Sequence, residues 1–274
     1  MDLAFHIQPI NIDTSSADLY LEINAQGLFY IILNNSICVA LVIYHFKTGI
    51  SDETTAEYIH QVIADQPVLQ QDFNTIHIIY GYTPSILVPG QFINDKDNNA
   101  MLDLVYGDVS ERVTRADFME KHAIYNVYGI PTVIEMVIAH YFGSAVYTHL
   151  FSLLPDVVKD PGNHLYCIFS TGQLKTLLIK EGKLQITQNY SYKTPEDVAY
   201  HLLNICKSFG VNANNTVVHL SGMIDANSPL YNELYTYFLQ LQFEGLPEQY
   251  QYPEDINQYP AHYFSHLFAI AACV

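Results

Sequence analysis

Basic side chains are what this chain has least of. Lys and Arg together number 11 against 28 Asp and Glu, a formal net charge of −17 at pH 7. The arginines are Arg112 and Arg115, close together in sequence. Nucleic-acid binding needs several cations laid along a phosphate backbone, and anionic lipid needs a basic cluster. No basic run exists, so both are excluded as partners. Tryptophan is absent. The four cysteines, Cys38, Cys167, Cys206 and Cys273, form no C-x-x-C pair. They sit in apolar contexts such as Ile37-Cys38-Val39 and Ala271-Ala272-Cys273, which predicts reduced, buried, inert thiols and a cytoplasmic setting. Long apolar runs are missing too. The longest, residues 37–44, is about eight residues, well short of the roughly 20 that span a bilayer. Met1-Asp2-Leu3-Ala4-Phe5-His6 carries no positive side chain, and no signal peptide is expected.

What is present is apolar and aromatic. Half of the 274 residues are hydrophobic, with 22 Tyr and 14 Phe, enough for one large domain or two moderate ones. A Tyr excess serves packing first, and it also suits a face that binds another protein.

The chain repeats itself. Asn74-Thr75-Ile76-His77-Ile78-Ile79-Tyr80-Gly81 returns as Asn215-Thr216-Val217-Val218-His219-Leu220-Ser221-Gly222. Each copy follows an amphipathic helix opened by a hydroxyl cap, Ser51-Asp52-Glu53 in one half and Thr194-Pro195-Glu196-Asp197 in the other. Each helix follows three strand-like segments joined by tight turns: 19–23, 28–33 and 36–46, then 165–169, 173–179 and 184–190. A short edge strand is read at 3–7. The apolar run 37–43 predicts a strand covered on both faces. Helices are expected at 51–64, 131–141, 194–209 with Gly210 as an αL stop, 228–239 and 260–272. Further strands are expected at 75–80, 123–128, 216–221 and 241–243. Pro84 and Pro89 bracket a short turn, Asp95-Lys96-Asp97-Asn98-Asn99 reads as a solvated helix start, and 145–154 fits strand or helix. Lys159-Asp160-Pro161-Gly162-Asn163 is the linker signal. It divides the chain into an N-terminal subdomain, 1–158, and a C-terminal one, 159–274.

Two such βββαβ units resemble the duplicated ribonuclease-H-like architecture of the actin, hexokinase and Hsp70 superfamily. This implies an α/β fold of two βββαβαβα-type subdomains with mixed sheets. In the second half, Asn189-Tyr190-Ser191-Tyr192-Lys193-Thr194-Pro195-Glu196-Asp197, Ala199-Tyr200-His201-Leu202-Leu203, Leu220-Ser221-Gly222, Ser228-Pro229-Leu230-Tyr231 and Pro260-Ala261-His262-Tyr263-Phe264 resemble the bacterial family DUF3822. That resemblance implies an actin-like fold and assigns no catalytic residue.

The chemistries open to such a fold are poorly served. Nucleotide binding wants an acid at the end of the first strand of each half, then a small Gly-containing turn whose N–H groups meet phosphates and whose acid holds Mg²⁺ through water. The first half offers Glu22, Asn24 and Gly27 in Glu22-Ile23-Asn24-Ala25-Gln26-Gly27, at the wrong spacing. The second offers Ser170, Thr171 and Gly172, with no acid. Ser221-Gly222-Met223 stands where an adenosine-binding Gly-Gly pair is expected. Metal-dependent nuclease chemistry wants carboxylates from first strand, first helix and fourth strand. Glu22 with Glu53 or Glu57 supplies two and the fourth strand none; Glu196 and Asp197 remain in the second half, and helix capping is the plainer reading of these helix acids. His262 and His266, four apart on the expected terminal helix, have a metal-ligand spacing but no third ligand, and packing is the plainer reading. His122, His140 and His149 lie apart, with no triad. His77 and His219 fall one residue out of register in the aligned repeats and are not expected to match.

The expectation is therefore a non-catalytic cytosolic binding or scaffold protein without a cofactor, contacting a protein partner or a second copy. The tract 231–243 and Gln249-Tyr250-Gln251-Tyr252 are the candidate faces. The alternative is a degenerate nucleotide-binding ATPase using backbone amides at 24–27 and 170–172.

Overall fold

The structure, a computed structural model, describes residues 1–8, 13–93, 98–108, 110–158 and 160–274. Met1–Ser152 with Glu248–Gln258 forms one compact unit, and Leu153–Pro247 with Tyr259–Val274 forms the other.

The first unit runs β1 (Asp2–Ile7), β2 (Asp18–Asn24), β3 (Gly27–Asn34), β4 (Ile37–His45), α1 (Asp52–Asp65), β5 (Thr75–Tyr80), β6 (Ser85–Pro89), α2 (Asn98–Tyr106), β7 (Arg112–Met119), β8 (Ile124–Pro131), α3 (Thr132–Tyr141) and β9 (Val146–His149), then the one-turn α4 (Leu150–Leu153). Its main sheet has the order β1-β4-β3-β2-β5-β9, and a smaller sheet has the order β6-β8-β7. The pairs β2/β5 and β5/β9 are parallel and the rest of the main sheet is antiparallel. Six consecutive residues of β3, Leu28 to Leu33, are buried, as a strand covered on both faces requires. Ser51 caps α1 by accepting from Thr54 N, and α1 turns Ala56, Ile59, Val62 and Ile63 into the same core as Leu19, Leu21 and Ile78.

The second unit contains β10 (His164–Ser170), β11 (Gln173–Lys180), β12 (Lys183–Ser191), α5 (Pro195–Phe209), β13 (Val217–Gly222), α6 (Pro229–Tyr237), β14 (Gln240–Phe243) and α7 (Ser265–Ala271). Its sheet order is β12-β11-β10-β13-β14. Thr194 and Asp197 form a reciprocal capping box at the start of α5, and Gly210 ends the helix in the left-handed region with φ 63°.

The repetition is kept residue by residue in the meanders. Asn24 pairs with Gly27 and Gly27 with His45, just as Ser170 pairs with Gln173 and Gln173 with Ser191. Even the irregularities coincide. The β3/β4 register shifts between Ile32 and Leu33, and the β11/β12 register shifts between Leu178 and Ile179.

Several expectations are corrected. His77 and His219 do match: Tyr20 lies opposite His77 in β2/β5, and Tyr166 opposite His219 in β10/β13. The rings stack in both places, with centroids 4.8 Å and 5.6 Å apart. Aligning by the Asn-Thr dipeptides misled, because Thr75 opens β5 whereas Thr216 lies before β13, its hydroxyl donating to Asn212 O. The stretch between Pro84 and Pro89 is strand β6 rather than a turn, held along β8. Residues 112–119 form a strand that the charged pattern concealed. The expected terminal helix at 260–272 is broken into a 3₁₀ turn, Ala261–Tyr263, and the seven-residue α7. Stretch 145–154 is strand and then helix. The expected helix start lies partly outside the described residues, at 95–97, as does Lys159 of the linker signal. Residues 248–258 join the first unit because Gln251 O accepts from Cys38 N (2.9 Å) and Gln251 N donates to Ser36 O (2.7 Å). The candidate face Gln249-Tyr250-Gln251-Tyr252 therefore includes a backbone bridge to the first residues of β4.

Candidate functional site

The positions with most to say about chemistry are the first turns of the two meanders. Both are two-residue hairpins, Ala25-Gln26 and Thr171-Gly172, closed by the pairs Asn24–Gly27 and Ser170–Gln173. In the first, Asn24 Nδ2 donates to Glu22 Oε1 at 2.9 Å while Asn24 Oδ1 accepts the Gln26 N–H at 2.8 Å. Glu22 and Asn24 are buried. Gly27 serves strand packing: a Cβ there would stand 2.2 Å from Tyr44 O. In the second, Gly172 adopts φ 67°, its carbonyl accepts from Tyr192 N at 3.0 Å, and Tyr192 Oη donates to Ser170 O at 3.1 Å. The candidate residues are thus brought together within each turn, and the Asn24 amide and the Ser170 and Gly172 carbonyls are engaged locally.

His262 and His266 do not share a helix. His262 Nε2 faces Ile224 O at 2.6 Å, and His266 Nδ1 lies 3.3 Å from Ser221 Oγ. Ser221 is fully buried, also donating or accepting with Ser265 Oγ at 2.8 Å and reaching His262 O at 3.1 Å. This Ser–His contact is a peg between β13 and the C-terminal turns, with no exposed nucleophile. Among the described residues no group of three His, Cys, Asp or Glu is placed to hold a metal ion. The helix acids act as caps: Asp197 accepts from Lys193 N and Thr194 N, and the Ser51 hydroxyl lowers the exposed Glu53 carboxyl. Cys38, Cys167 and Cys206 are buried, and burial pushes the Cys38 and Cys167 thiols up to about 12.

Two polar clusters were not legible as motifs. In the first unit, Arg115 pairs with Glu135 of α3, its guanidinium 4.6 Å over the Tyr147 ring, and Tyr80 Oη donates to Glu135 Oε2 at 2.6 Å. Asp117, beside it on β7, accepts from Tyr128 Oη, His149 N and Ser152 Oγ at 3.1, 2.7 and 2.6 Å. Burial raises the Asp117 carboxyl in spite of these donors. Arg112 stands 3.8 Å from Asp52. Both arginines are thus paired with carboxylates of the same unit. In the second unit, Glu244 Oε1 takes His219 Nδ1 at 2.7 Å, and His219 Nε2 meets His164 Nδ1 at 2.9 Å. A carboxylate only accepts, so His219 carries its proton on Nδ1. Burial, then the neighbouring His219, holds His164 below the usual imidazole range. The signal that could have found this chain is the Tyr–His pair of the parallel strands, once their register is known.

The architecture has known parallels. A protein of Bacteroides thetaiotaomicron with actin-like ATPase fold and unknown function is 15% identical, with TM-score 0.79, over 95% of this chain and 97% of that one. A chain of the PilM-PilN type IV pilus biogenesis complex is 11% identical, with TM-score 0.63, over 93% and 97%. Ethanolamine utilization protein EutJ of Carboxydothermus hydrogenoformans is 9% identical, with TM-score 0.54, over 98% and 92%. At these identities the likeness is one of fold. No curated protein matches the sequence. The model of the family described as protein of unknown function (DUF3822) matches residues 8–241. The chain is a member of the DUF3822 family and has an actin-like, ribonuclease-H-like fold.

Proposed function

We propose that this protein works by binding another protein and has no nucleotide chemistry of its own. The observation that carries this reading is the pair of first turns. Phosphate binding at a turn needs free N–H groups, and Mg²⁺ held through water needs an accessible acid. Here the Gln26 N–H is taken by Asn24, Glu22 is buried against Asn24, and the second turn has no acid. Such turns do not fit a Mg-nucleotide, so no catalytic step is derived. The pairing of Arg115 with Glu135 points the same way, since that guanidinium is engaged within its own unit. Binding is supported by exposed large side chains on and after α6. Tyr235 and Leu239 are 60% and 66% exposed, and Tyr231 stacks on both Tyr235 and Phe243. Leu234 and Phe238 of the same tract are core, so the tract divides between packing and display. A chain of similar fold occurs in the PilM-PilN complex, so this architecture serves protein assembly elsewhere. No helix among the described residues is long and apolar enough to cross a membrane.

The test is thermal unfolding with Mg-ATP. A ligand at 100-fold its Kd adds about 2.7 kcal/mol to a folded protein, a shift readily seen. The expected result is no shift with any nucleotide. A shift that Gly172→Val abolishes would overturn the reading.

A further inference from the structure

Charge is distributed unevenly along the second unit. After Lys207 the chain contains no further Lys or Arg, while Asp225, Glu233 and Glu244 all fall in that part of the unit. Asp225 is exposed and accepts from Tyr263 Oη. On this acidic stretch stands a ladder of rings. Tyr235 stacks on Tyr231 with centroids 6.2 Å apart and planes 16° apart, and Tyr231 stacks on Phe243 at 5.4 Å and 11°. Phe243 in turn meets His262 at 4.3 Å. The inner end is anchored, because His262 is buried with its Nε2 facing Ile224 O. The outer end is Tyr235, whose side chain is largely exposed, and Leu239 four residues on is exposed beside it. The helix beneath is fixed by Ser228, which accepts from Tyr231 N, and by Leu234 and Phe238 in the core.

We propose that the ridge formed by Tyr231, Tyr235 and Leu239 docks a basic segment of another protein, with an Arg or Lys continuing the ring ladder at Tyr235 and an apolar side chain seated on Leu239. The face of an aromatic ring attracts a cation, and a guanidinium can also stack flat on it. The rings are already ordered by their own stacking, so little side-chain freedom is lost when a partner arrives. Charge decides what kind of partner fits. The net charge of −17 draws cations toward the molecule, and the stretch that carries the ridge supplies no Lys or Arg to compete for the Tyr235 ring. A second copy meeting this face with its own would set Asp225 and Glu233 against their like and would bring no cation to Tyr235. A basic segment of a different protein meets neither obstacle.

The inference rests on the protein-binding reading, but its test is separate: a nucleotide shift overturns that reading, whereas peptide binding tests the ridge alone. The probe is an octapeptide alternating Arg and Leu, labelled at its N-terminus, beside the same peptide with Gln in place of Arg. Fluorescence anisotropy is expected to show the Arg peptide binding more tightly than the Gln peptide, with the difference shrinking as salt is raised. Tyr235→Ala is expected to weaken the Arg peptide roughly two- to fivefold, the loss of one exposed cation–π contact. Leu239→Ser is expected to weaken both peptides. Both side chains are exposed, so the fold is expected to tolerate these changes. No binding of the Arg peptide at about 1 mM, equal binding of the two peptides, or Arg-peptide binding that both variants leave unchanged would overturn the proposal. If a variant fails to fold, NMR titration of the wild type decides. Backbone shifts that move at 231–239 support the ridge, and shifts confined to other residues overturn it. Light scattering tests the other occupant: a wild-type dimer that Tyr235→Ala abolishes would place a second copy on the ridge and overturn the proposal.

Discussion

Two glycines in this chain, Gly27 and Gly222, mark places where two backbones nearly touch. Gly27 looked like a residue that lets a ligand approach; its Cβ would instead meet Tyr44 O at 2.2 Å. Gly222, in Ser221-Gly222-Met223 where an adenosine-binding pair was sought, has φ 79° and would place a Cβ 2.2 Å from Phe169 O. Backbone atoms in a paired strand cannot yield as a side-chain tip can. Gly27→Ala and Gly222→Ala are each expected to cost roughly 2–3 kcal/mol, measured by urea unfolding. Gly172→Ala meets its nearest atom at 3.4 Å and is strained chiefly by its φ of 67°, so about 1–2 kcal/mol is expected. A Gly27→Ala protein as stable as wild type would return that residue to the list of candidate ligand contacts.

Among the elements, α5 is the most completely specified. Thr194 Oγ1 accepts from Asp197 N at 3.3 Å while Asp197 Oδ2 accepts from Thr194 N at 3.0 Å, with Pro195 opening the helix. Thr194→Ala is expected to lower stability by about 1 kcal/mol, read from the urea midpoint. Ser51→Ala at α1, where Ser51 Oγ accepts from Thr54 N at 3.3 Å, is expected to cost no more. Asp197→Ala should resemble Thr194→Ala, because the acid and the hydroxyl cap each other. An Asp197→Ala protein of unchanged stability would show that this acid is kept for something other than the helix.

For the molecule as a whole, histidine burial sets the acid response. His45, His77, His164 and His262 are all held below the ordinary value of 6.5, burial being the largest cause in each. An imidazole with a lowered folded pKa takes up its proton more readily in the unfolded chain. The stability it contributes is complete above 6.5 and is lost as pH falls from there through the folded value. Asp117 has the opposite sign, since burial raises its carboxyl, but it acts in the carboxylate range, at lower pH. The urea midpoint is therefore expected to be lower at about pH 5.5 than at about pH 7.5. In NMR titrations the His164 ring is expected to change below the ordinary value of 6.5. A midpoint flat across that window would contradict the lowered values of these four rings.

What the sequence by itself determined is local. Hydroxyl caps, the Gly210 stop, hairpin turns and apolar runs act over a few residues, so α1, α5, β5 and both meanders could be read directly, and the duplication with them. The tertiary structure decided whatever depends on a partner far along the chain. Strand β7, Arg-Val-Thr-Arg-Ala-Asp-Phe-Met, is no readable strand until Glu135, Tyr128 and Ser152 supply partners for its charges. The match of His77 with His219 needed the cross-strand register, which a one-residue slip changes completely. The break before α7, the return of 248–258 to the first unit and the paired state of both arginines were equally hidden. So was the difference between two strands alike in length and bulge: among the described residues β4 has β1 as its outer neighbour, and β12 ends its sheet. Local signals specify an element, while which edges meet is fixed only when distant segments close against one another.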